Sequence, residues 1–345
     1  MDKKILMAFD DPGGGLALTS LIEPLKNEGI KIRLYSGLLS RKFTGDYESE
    51  ILGSNIDKQT AEKILEENEP DMLITGTSAG NAEQLLRNDA FEKNITSVVI
   101  LDFWKDYGRR WYFADYNIEE TKDYVFVMDE CTKAEMEKEG FREKFLLVTG
   151  HPYLDKIFNY GNNKPVVHGR ENHYLFLSQP LNVIGIKNYA IHPLEYLLNS
   201  LKTLTAEKGN IKLTVKLHPV ETITTELENA VQKFHSEVLS IRIIKNEISI
   251  DNLIDESEIV IGFNTIAMFE ARAKNKRTIS LKAVKVKESL DKAMMRAGIE
   301  IVEINTKDIT SVLKNKTELH IPQNFHKGAI ENCKREILNL LGRKN

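Results

Sequence analysis

Cysteine is nearly absent from this sequence, and so are long apolar runs. The two cysteines, Cys131 and Cys333, lie far apart and show no CxxC or zinc-type spacing, which is typical of incidental thiols in a reducing cytosol. No segment approaches about 18 uninterrupted apolar residues, and no apolar leader precedes the first predicted strand. We therefore expect a cytoplasmic protein that is neither exported nor membrane-spanning.

An excess of positive charge is also lacking. Lys and Arg number 47 against 51 Asp and Glu, so the formal net charge is −4. Proteins that bind nucleic acid usually carry a basic field, and the composition therefore argues against a nucleic-acid partner. The sequence has no Asp-x-Asp pair and no His, Asp and Glu triplet with ligand spacing, so we expect neither a metal nor another cofactor.

Short apolar runs alternate with amphipathic helical stretches along the whole chain, the pattern of parallel sheets built from βαβ units. At 345 residues the chain exceeds a single comfortable core, which favours two domains of about 150 to 170 residues each. The predicted strands are residues 5–9, 32–35, 72–75, 97–101, 124–127, 145–148, 174–177, 213–217, 241–244, 259–261, 278–281 and 301–302. The sequence thus predicts an α/β protein with two Rossmann-like, doubly wound domains.

A boundary between these domains is visible in the composition. Residues 159–170 contain two glycines, several asparagines and Pro165, which is typical of an exposed linker. The predicted N-terminal domain is residues 1–158, and the predicted C-terminal domain is residues 171–322. Residues 323–345 then form a predicted helix that caps one of the domains, because apolar residues recur at helical spacing: Ile330, Cys333, Ile337 and Leu341.

Two predicted strand ends in the second half carry the strongest functional signal. Residues 211–217 alternate apolar side chains, so His218 falls at the carboxyl end of a strand that Pro219 ends. Further along, residues 262–265 (Gly-Phe-Asn-Thr) join a short apolar strand to a helix that begins near Thr265. Helix starts attract phosphate, and open α/β sheets bind ligands at carboxyl strand ends. The pair of motifs indicates a site for a nucleotide diphosphate or nucleotide-sugar, whereas a structural histidine and ordinary helix caps are the alternative.

The loop after the first predicted strand is acidic and rich in glycine. Asp10 and Asp11 precede Gly13 and Gly14, and glycines let a ligand approach the backbone closely while carboxylates act on it. A tight turn capped by Asp11 is the alternative interpretation.

Two later loops of the first half are candidates for binding a second substrate. Thr77 and Ser78 follow the third predicted strand, and their hydroxyls suit the hydroxyls or phosphates of a ligand, although a capped turn is equally open. Asp102, Trp104 and Arg109 lie in the next loop, where an aromatic face beside acidic and basic groups suits sugar recognition. A contact between domains or between the copies of a homodimer is the alternative for this loop.

These motifs resemble those of GT-B glycosyltransferases, especially bacterial surface-carbohydrate enzymes of the sialyltransferase, polysialyltransferase and CDP-glycerol transferase kind. Residues 216–219 (Lys-Leu-His-Pro) resemble their His-Pro motif, residues 262–271 their helix-start motif, and residues 176–181 the loop after their first C-terminal-domain strand. Residues 148–155 look like the domain-crossing segment shared with hydrolysing nucleotide-sugar 2-epimerases. The resemblance covers nearly the full length and implies the GT-B fold, with two domains facing each other across a cleft.

The resemblance implies a nucleotide-sugar donor in the C-terminal domain. The residues expected to bind the donor are Gly13, Gly14, Ser178, Gln179, His218, Pro219, Gly262, Asn264, Thr265 and Glu270. Among them, His218 would contact phosphate or nucleotide and assist catalysis, and Asn264 and Thr265 would take a phosphate. Glu270 would bind ribose hydroxyls, or it is a plain acid on the helix surface.

A carbohydrate or lipid-linked acceptor would enter from the N-terminal domain. Its expected contacts are Thr77, Ser78, Asp102, Trp104 and Arg109. Asp10 or Asp11 would act as general base on an acceptor hydroxyl, and the sequence leaves the choice between them open. Catalysis would come mostly from orientation and from neutralising the leaving nucleotide, without a metal.

The expected function is therefore glycosyl transfer in bacterial surface polysaccharide biosynthesis, such as that of a capsule. A hydrolysing nucleotide-sugar 2-epimerase is the main alternative, but that family carries an acid in a loop that here reads Gly76-Thr77-Ser78. A non-catalytic nucleotide-sugar-binding protein is the third. A basic stretch could contact the inner face of a membrane or be a solvated helix face: Lys282, Lys285, Lys287, Lys292 and Arg296. The donor, the acceptor, the stereochemical outcome and the oligomeric state stay open.

Overall fold

The computed structural model describes residues 3–111, 118, 122–160, 169–180, 192–283, 285–304, 309–315, 322 and 324–342. The chain divides into two compact units, of which the first comprises Met1–Tyr160 with Asn324–Asn345 and the second Gly161–Gln323. Most of the predicted linker, residues 161–168, and the last residue of the 176–181 motif lie outside the described residues.

A parallel sheet forms the centre of the first unit. Its strands are β1 (Lys4–Phe9), β2 (Lys31–Gly37), β3 (Glu50–Leu52), β4 (Met72–Thr75), β5 (Thr96–Ile100), β6 (Tyr124–Val127) and β7 (Leu146–Val148). They lie in the order β3-β2-β1-β4-β5-β6-β7, with every neighbouring pair parallel. The strands predicted in this half are all confirmed, whereas β3 is a strand that the sequence analysis did not predict.

Helices connect these parallel strands. They are α1 (Pro12–Thr19), α2 (Ile22–Lys26), α3 (Lys58–Asn68), α4 (Ala82–Glu92), α5 (Glu130–Lys138) and α6 (Pro152–Asp155). Several begin where the sequence supplies a capping side chain: Asp57 accepts a hydrogen bond from the Thr60 amide at 2.8 Å, and Asp129 accepts one from Thr132 at 2.8 Å. The chain also forms a short 3-10 turn at Gly108–Trp111.

The second unit repeats this plan. Its strands are β8 (His173–Leu177), β9 (Ile211–Lys216), β10 (Leu239–Ile244), β11 (Ile259–Gly262), β12 (Arg277–Lys282) and β13 (Glu300–Glu303). Its helices are α7 (Pro193–Lys208), α8 (Thr225–Phe234), α9 (Ile250–Glu256), α10 (Ile266–Ala273), α11 (Glu288–Arg296) and α12 (Ile309–Lys314). The strands lie in the order β10-β9-β8-β11-β12-β13 and are all parallel, and each strand predicted in this half is confirmed.

Both faces of the first sheet are buried, which explains why its strands read as nearly continuous apolar runs. In β1, Ile5, Met7 and Phe9 point into one apolar cluster with α1 and α2, while Leu6 and Ala8 point into another with α3 and α4. This alternation follows from the period-two geometry of a strand.

The final helix, α13 (Ala329–Gly342), returns to the first unit. Its side chains Cys333, Ile337 and Leu340 join the apolar cluster that contains alternate residues of β1. Asp155 anchors the start of this helix by accepting a hydrogen bond from the Ile330 amide at 3.0 Å. Burial raises the pKa of Asp155, even though hydrogen bonds from the backbone amides of Gly328, Ala329 and Ile330 favour its ionised form. The core of the first unit is therefore built from two distant parts of the chain.

The α/β fold with two doubly wound sheets is confirmed. In each sheet the strand order reverses once, between β1 and β4 and between β8 and β11. Open α/β sheets bind ligands beyond the carboxyl ends of the strands at such a reversal. Among the described residues, no helix is both long and apolar enough to cross a membrane.

Candidate functional site

Many of the predicted site residues lie in loops at these two reversal points. In the first unit, the loop after β1 carries Asp10 and Asp11, and the neighbouring loop after β4 carries Thr77 and Ser78. In the second unit, Gln179 follows β8 and residues 264–265 follow the adjacent β11. The parallel pairing of these strands is what brings the loops side by side in each unit.

Asp11 begins the helix that follows β1. Its Oδ1 accepts a hydrogen bond from the Gly14 amide at 2.8 Å, and Pro12 occupies the first helical position. The capping geometry holds the carboxylate at the mouth of the loop, where it remains partly exposed. Asp11 is thus a helix cap.

Glycine is required in the loops after β1 and β4, because a side chain there would collide with a neighbouring loop. A Cβ added to Gly13 would overlap the Asp102 carboxylate, which belongs to the loop after β5. A Cβ on Gly76 would lie 3.2 Å from the Gly14 Cα, closer than side chains ordinarily pack. Three consecutive loops of the sheet therefore meet around Asp11.

Glu83, which the sequence analysis did not select, is central to this arrangement. It lies in the first turn of α4 and is only 2% exposed. Its two carboxylate oxygens accept hydrogen bonds from the Asp10 amide at 2.8 Å and the Ser78 amide at 3.1 Å. Burial raises the pKa of Glu83, while the nearby Arg87 and both amides favour the charged form. Glu83 thus ties the loop after β1 to the loop after β4.

Asp102 is the third carboxylate of the cluster. It is buried, accepts a hydrogen bond from the Thr77 hydroxyl at 3.0 Å, and forms an ion pair with Arg110. The Nε2 of His151 lies 2.9 Å from the Asp102 carbonyl oxygen. Although burial opposes ionisation, the Arg110 guanidinium and the Thr77 hydroxyl hold the pKa of Asp102 below its ordinary value. Arg109, which the sequence analysis selected, is exposed to solvent, and its neighbour Arg110 makes this contact.

The charges of the cluster also act on Asp11. Burial, followed by the negative charges of Asp102 and Glu83, raises the pKa of Asp11 to about 7, although the Gly14 amide and Arg110 partly oppose the shift. A carboxyl group of this kind can take up or release a proton near neutral pH. The neighbouring Asp10 accepts a hydrogen bond at its Oδ1 from the Ser54 hydroxyl at 2.9 Å.

The aromatic residues of the loop after β5 are placed differently from the expectation. Trp104 and Trp111 are fully buried, so neither ring presents a face to solvent. Trp104 donates its indole N–H to Asp129 at 3.2 Å and packs near His151 and His326. The two rings instead pack the loop against the rest of the unit. The sequence had led us to expect an aromatic face on which a sugar stacks.

In the second unit, a glutamate again joins neighbouring loops. Glu221, also not selected from the sequence, accepts a hydrogen bond from the Ser178 hydroxyl at 2.8 Å and one from the His218 amide at 2.7 Å. The loops after β8 and β9 are fixed together by this carboxylate. The imidazole of His218 is exposed, as is Pro219, so both are accessible to a ligand.

Gln179 and Asn264 connect the loops at the reversal point of the second sheet. The Gln179 side-chain amide donates to the Asn264 carbonyl at 3.2 Å. The side-chain carbonyl oxygens of both residues are buried without a hydrogen-bond donor among the described residues, an arrangement that a ligand or water donor would complete. Thr265 caps α10 by position, but its side chain makes no capping hydrogen bond.

The two remaining predicted donor residues lie on either side of this helix start. Gly262 ends β11, where a Cβ would lie 3.2 Å from the Leu177 Cβ. Glu270 lies partly exposed within α10. The structure thus brings Ser178, Gln179, His218 and Asn264 into one set of loops, with Glu270 further along the helix.

Two lysines of the basic stretch near α11 pair with acids of the same surface. Lys282 lies 2.6 Å from Asp291, and Lys292 lies 2.6 Å from Glu288. These pairs give the surface mixed charge, in keeping with a solvated helix face. Among the described residues, no group of three or more His, Cys, Asp and Glu side chains has the geometry to hold a metal ion.

No protein-family model matches the chain, and no curated protein matches it in sequence. Solved structures do match. MnaA of S. aureus in complex with UDP has a TM-score of 0.69 at 14% identity, covering 99% of both chains. UDP-GlcNAc 2-epimerase of Neisseria meningitidis bound to UDP-GlcNAc has a TM-score of 0.65 at 14% identity, covering 98% of this chain and 99% of that one. MurG of Acinetobacter baumannii has a TM-score of 0.51 at 10% identity, with coverages of 98% and 99%. At such identities the likeness concerns the fold alone, and the expected GT-B-like architecture of two α/β domains is confirmed.

Proposed function

We propose that this protein is an enzyme acting on a nucleotide-sugar, with Asp11 as the group that moves a proton. The observation that carries the proposal is the position of Asp11 at the reversal point of the first sheet, with its pKa raised to about 7 by burial and by Asp102 and Glu83. Perturbed carboxyl groups in such crevices are typical of acid–base catalysts. The reaction that we favour is transfer of the sugar to the hydroxyl of a carbohydrate or lipid-linked acceptor.

In this mechanism, ionised Asp11 accepts the proton of the acceptor hydroxyl as the oxygen attacks the sugar. Asp102 remains charged because Arg110 pairs with it, so it can accept a hydrogen bond from another acceptor hydroxyl. We favour Asp11 as the base, because burial and the charges of Asp102 and Glu83 raise its pKa to about 7. A positioned general base contributes about 10² to 10⁴ in rate.

The loops of the second unit would hold the nucleotide. The exposed imidazole of His218 and the amides at the start of α10 are suited to the diphosphate, which leaves with negative charge. The unsatisfied carbonyl oxygens of Gln179 and Asn264 suit N–H or hydroxyl donors of the same ligand. Support for a nucleotide in this fold comes from the similar structures that hold UDP or UDP-GlcNAc.

Nucleotide-sugar 2-epimerisation is a second candidate, favoured by Glu83. The loop Gly76-Thr77-Ser78 lacks a carboxylate of its own, but Glu83 reaches it and accepts from the Ser78 amide at 3.1 Å. The missing acid in the loop sequence is therefore weaker evidence against an epimerase than the sequence alone indicated. The similarity to the Neisseria meningitidis UDP-GlcNAc 2-epimerase also supports 2-epimerisation as a candidate.

Product analysis separates the candidates. The purified protein is incubated with UDP-, CDP- and CMP-sugars, with and without carbohydrate or lipid-linked acceptors, and products are identified by mass spectrometry and NMR. Transfer that requires an acceptor supports the transferase, whereas an acceptor-independent 2-epimerised sugar supports the epimerase. Thermal stabilisation by a nucleotide-sugar without turnover would leave a binding role and refute both enzymatic proposals.

The matched variant in each assay is Asp11→Asn. Asparagine caps helices about as well as aspartate, so the variant should fold and bind nucleotide while losing proton transfer. We expect turnover to fall by about 10² to 10⁴ without loss of nucleotide affinity. Full turnover by Asp11→Asn would refute the assignment of the base.

A further inference from the structure

We propose that Glu83 is a positioning residue of the first unit's site, which holds the loops after β1 and β4 in register and places its carboxylate next to Asp11 in the loop after β1. The catalytic consequence of this inference rests on the proposed function, but its structural and electrostatic parts do not.

The first part follows from the hydrogen bonds of one buried side chain. Oε1 of Glu83 accepts from the Asp10 amide at 2.8 Å, and Oε2 accepts from the Ser78 amide at 3.1 Å. Each loop follows a strand of the β1–β4 pair, and their amides point at the same carboxylate from two directions. Burial raises the pKa of Glu83, while these two main-chain N–H donors and Arg87 favour its carboxylate form.

The second part concerns the charges around Asp11. The negative charges of Asp102 and Glu83 act on Asp11, and the positive charge of Arg110 opposes them. The Glu83 carboxylate lies close to Asp11, because it accepts a hydrogen bond from the amide of the preceding residue, Asp10, at 2.8 Å. Arg110 forms an ion pair with Asp102, so the Asp102 carboxylate neutralises most of its positive charge. Glu83 has Arg87 as its charged neighbour.

Arg87 does not cancel the charge of Glu83, because its guanidinium has other partners. It forms an ion pair with Asp123 at 3.3 Å and donates hydrogen bonds to Thr75 at 2.9 Å and Gln84 at 2.6 Å. The excess negative charge of the cluster therefore acts on Asp11 and favours retention of its proton. A glutamate that only filled space would have no such effect.

The test follows Asp11 directly by NMR of protein labelled with ¹³C at the aspartate carboxyl carbons. The Asp11 signal is identified by its loss in Asp11→Asn. In Glu83→Gln the charge is removed at nearly constant shape, and the Asp11 titration midpoint should fall by on the order of one pH unit. The matched control is Glu92→Gln on the same helix, where the exposed Glu92 pairs with Lys58. An unchanged midpoint in Glu83→Gln would overturn the inference.

Amide exchange tests the loop contacts in the same samples. The amides of Asp10 and Ser78 should exchange faster in Glu83→Gln, while the Gly76 amide, bonded to the Ala8 carbonyl at 3.2 Å, should keep its rate. Glu83→Asp retains the charge with a shorter reach, so it should keep the Asp11 midpoint yet lose amide protection. This second variant keeps the inference testable if Glu83→Gln does not fold, and a midpoint that falls in Glu83→Asp would contradict it.

Activity provides the last readout. If the proposed function holds, the pH at which turnover reaches half its maximum should move down in Glu83→Gln by the same amount as the Asp11 midpoint, whereas a purely structural role would lower turnover at every pH. An Asp11 midpoint that moves in a protein without activity on nucleotide-sugars would refute the proposed function and leave the Glu83 inference standing. If Glu83→Gln is active and its pH profile equals that of wild type, the catalytic part of the Glu83 inference is refuted.

Discussion

Asp11→Asn is expected to make the first unit more stable, by an amount that depends on pH. The pKa of Asp11 rises from an ordinary 3.8 to about 7 on folding. Between these values the folded protein holds a proton that the unfolded chain has released, so the free energy of unfolding falls as pH rises through this window. Below about pH 4 both states are protonated, and above about pH 7 both are ionised. Asparagine removes this dependence while keeping the hydrogen bond to Gly14.

The size of the effect follows from the same shift. One pKa unit corresponds to about 1.4 kcal/mol, so the advantage of the variant should grow by about 1.4 kcal/mol per pH unit up to about pH 7 and then level off. The full shift sets an upper limit of about 4 kcal/mol. An increment of this size would be a large part of the stability of a domain.

Tryptophan fluorescence makes the measurement specific to the first unit. Trp104 and Trp111 are the two tryptophans of the chain, and both are buried in the first unit. Urea unfolding curves of wild type and Asp11→Asn, recorded from pH 5 to 8.5, give the difference in stability at each pH. The control is Asp57→Asn, because Asp57 caps α3 in the same way at 2.8 Å but hydrogen bonds to Thr60 lower its pKa. A difference for Asp11→Asn that stays constant across this pH range would refute the electrostatic reasoning.

Other substitutions test the remaining contacts. His218→Ala should weaken binding of the best nucleotide by about 1 to 3 kcal/mol in isothermal titration calorimetry, the usual cost of losing a hydrogen bond to a charged group, and unchanged affinity would remove His218 from the site. Gly13→Ala, whose Cβ would overlap the Asp102 carboxylate, should lower the urea midpoint of the first unit by the equivalent of about 1 to 3 kcal/mol, and an unaltered midpoint would contradict the close packing. Glu221→Gln should speed exchange of the His218 amide and weaken nucleotide binding, because it removes the charge that holds Ser178 and His218; protection equal to that of wild type would show that the loops do not depend on this carboxylate.

Periodicity and apolar content were sufficient to predict nearly all the strands, because parallel strands covered on both faces must be apolar along their length. The missed strand, β3 (Glu50–Leu52), is three residues long and lies at the edge of its sheet. Ile51 is 57% exposed, and Leu52 is the one buried residue of the strand. Three residues with one buried side chain are too few to show a period-two pattern in the sequence.

The positions of the site loops were predictable for a similar reason, since carboxyl ends of parallel strands meet at one edge. Glu83 and Glu221 were not, because a glutamate that accepts hydrogen bonds from neighbouring loops resembles any other helix or loop acid in sequence. An acid in the first turn of a helix that follows a strand-end loop, as with Glu83, is the signal that could have been used. The burial of Trp104 depends on tertiary packing, which composition does not reveal.

The return of α13 to the first unit has a consequence for how the chain acquires its structure during translation. A ribosome synthesises residues 1–160 first, yet the apolar cluster beside β1 also needs Cys333, Ile337 and Leu340. These side chains leave the ribosome only after the entire second unit, which is continuous in sequence and can fold beforehand. The apolar surface of the nascent first unit therefore stays uncovered until α13 is synthesised. A message truncated before residue 324 would yield a polypeptide that chaperones bind and proteases degrade.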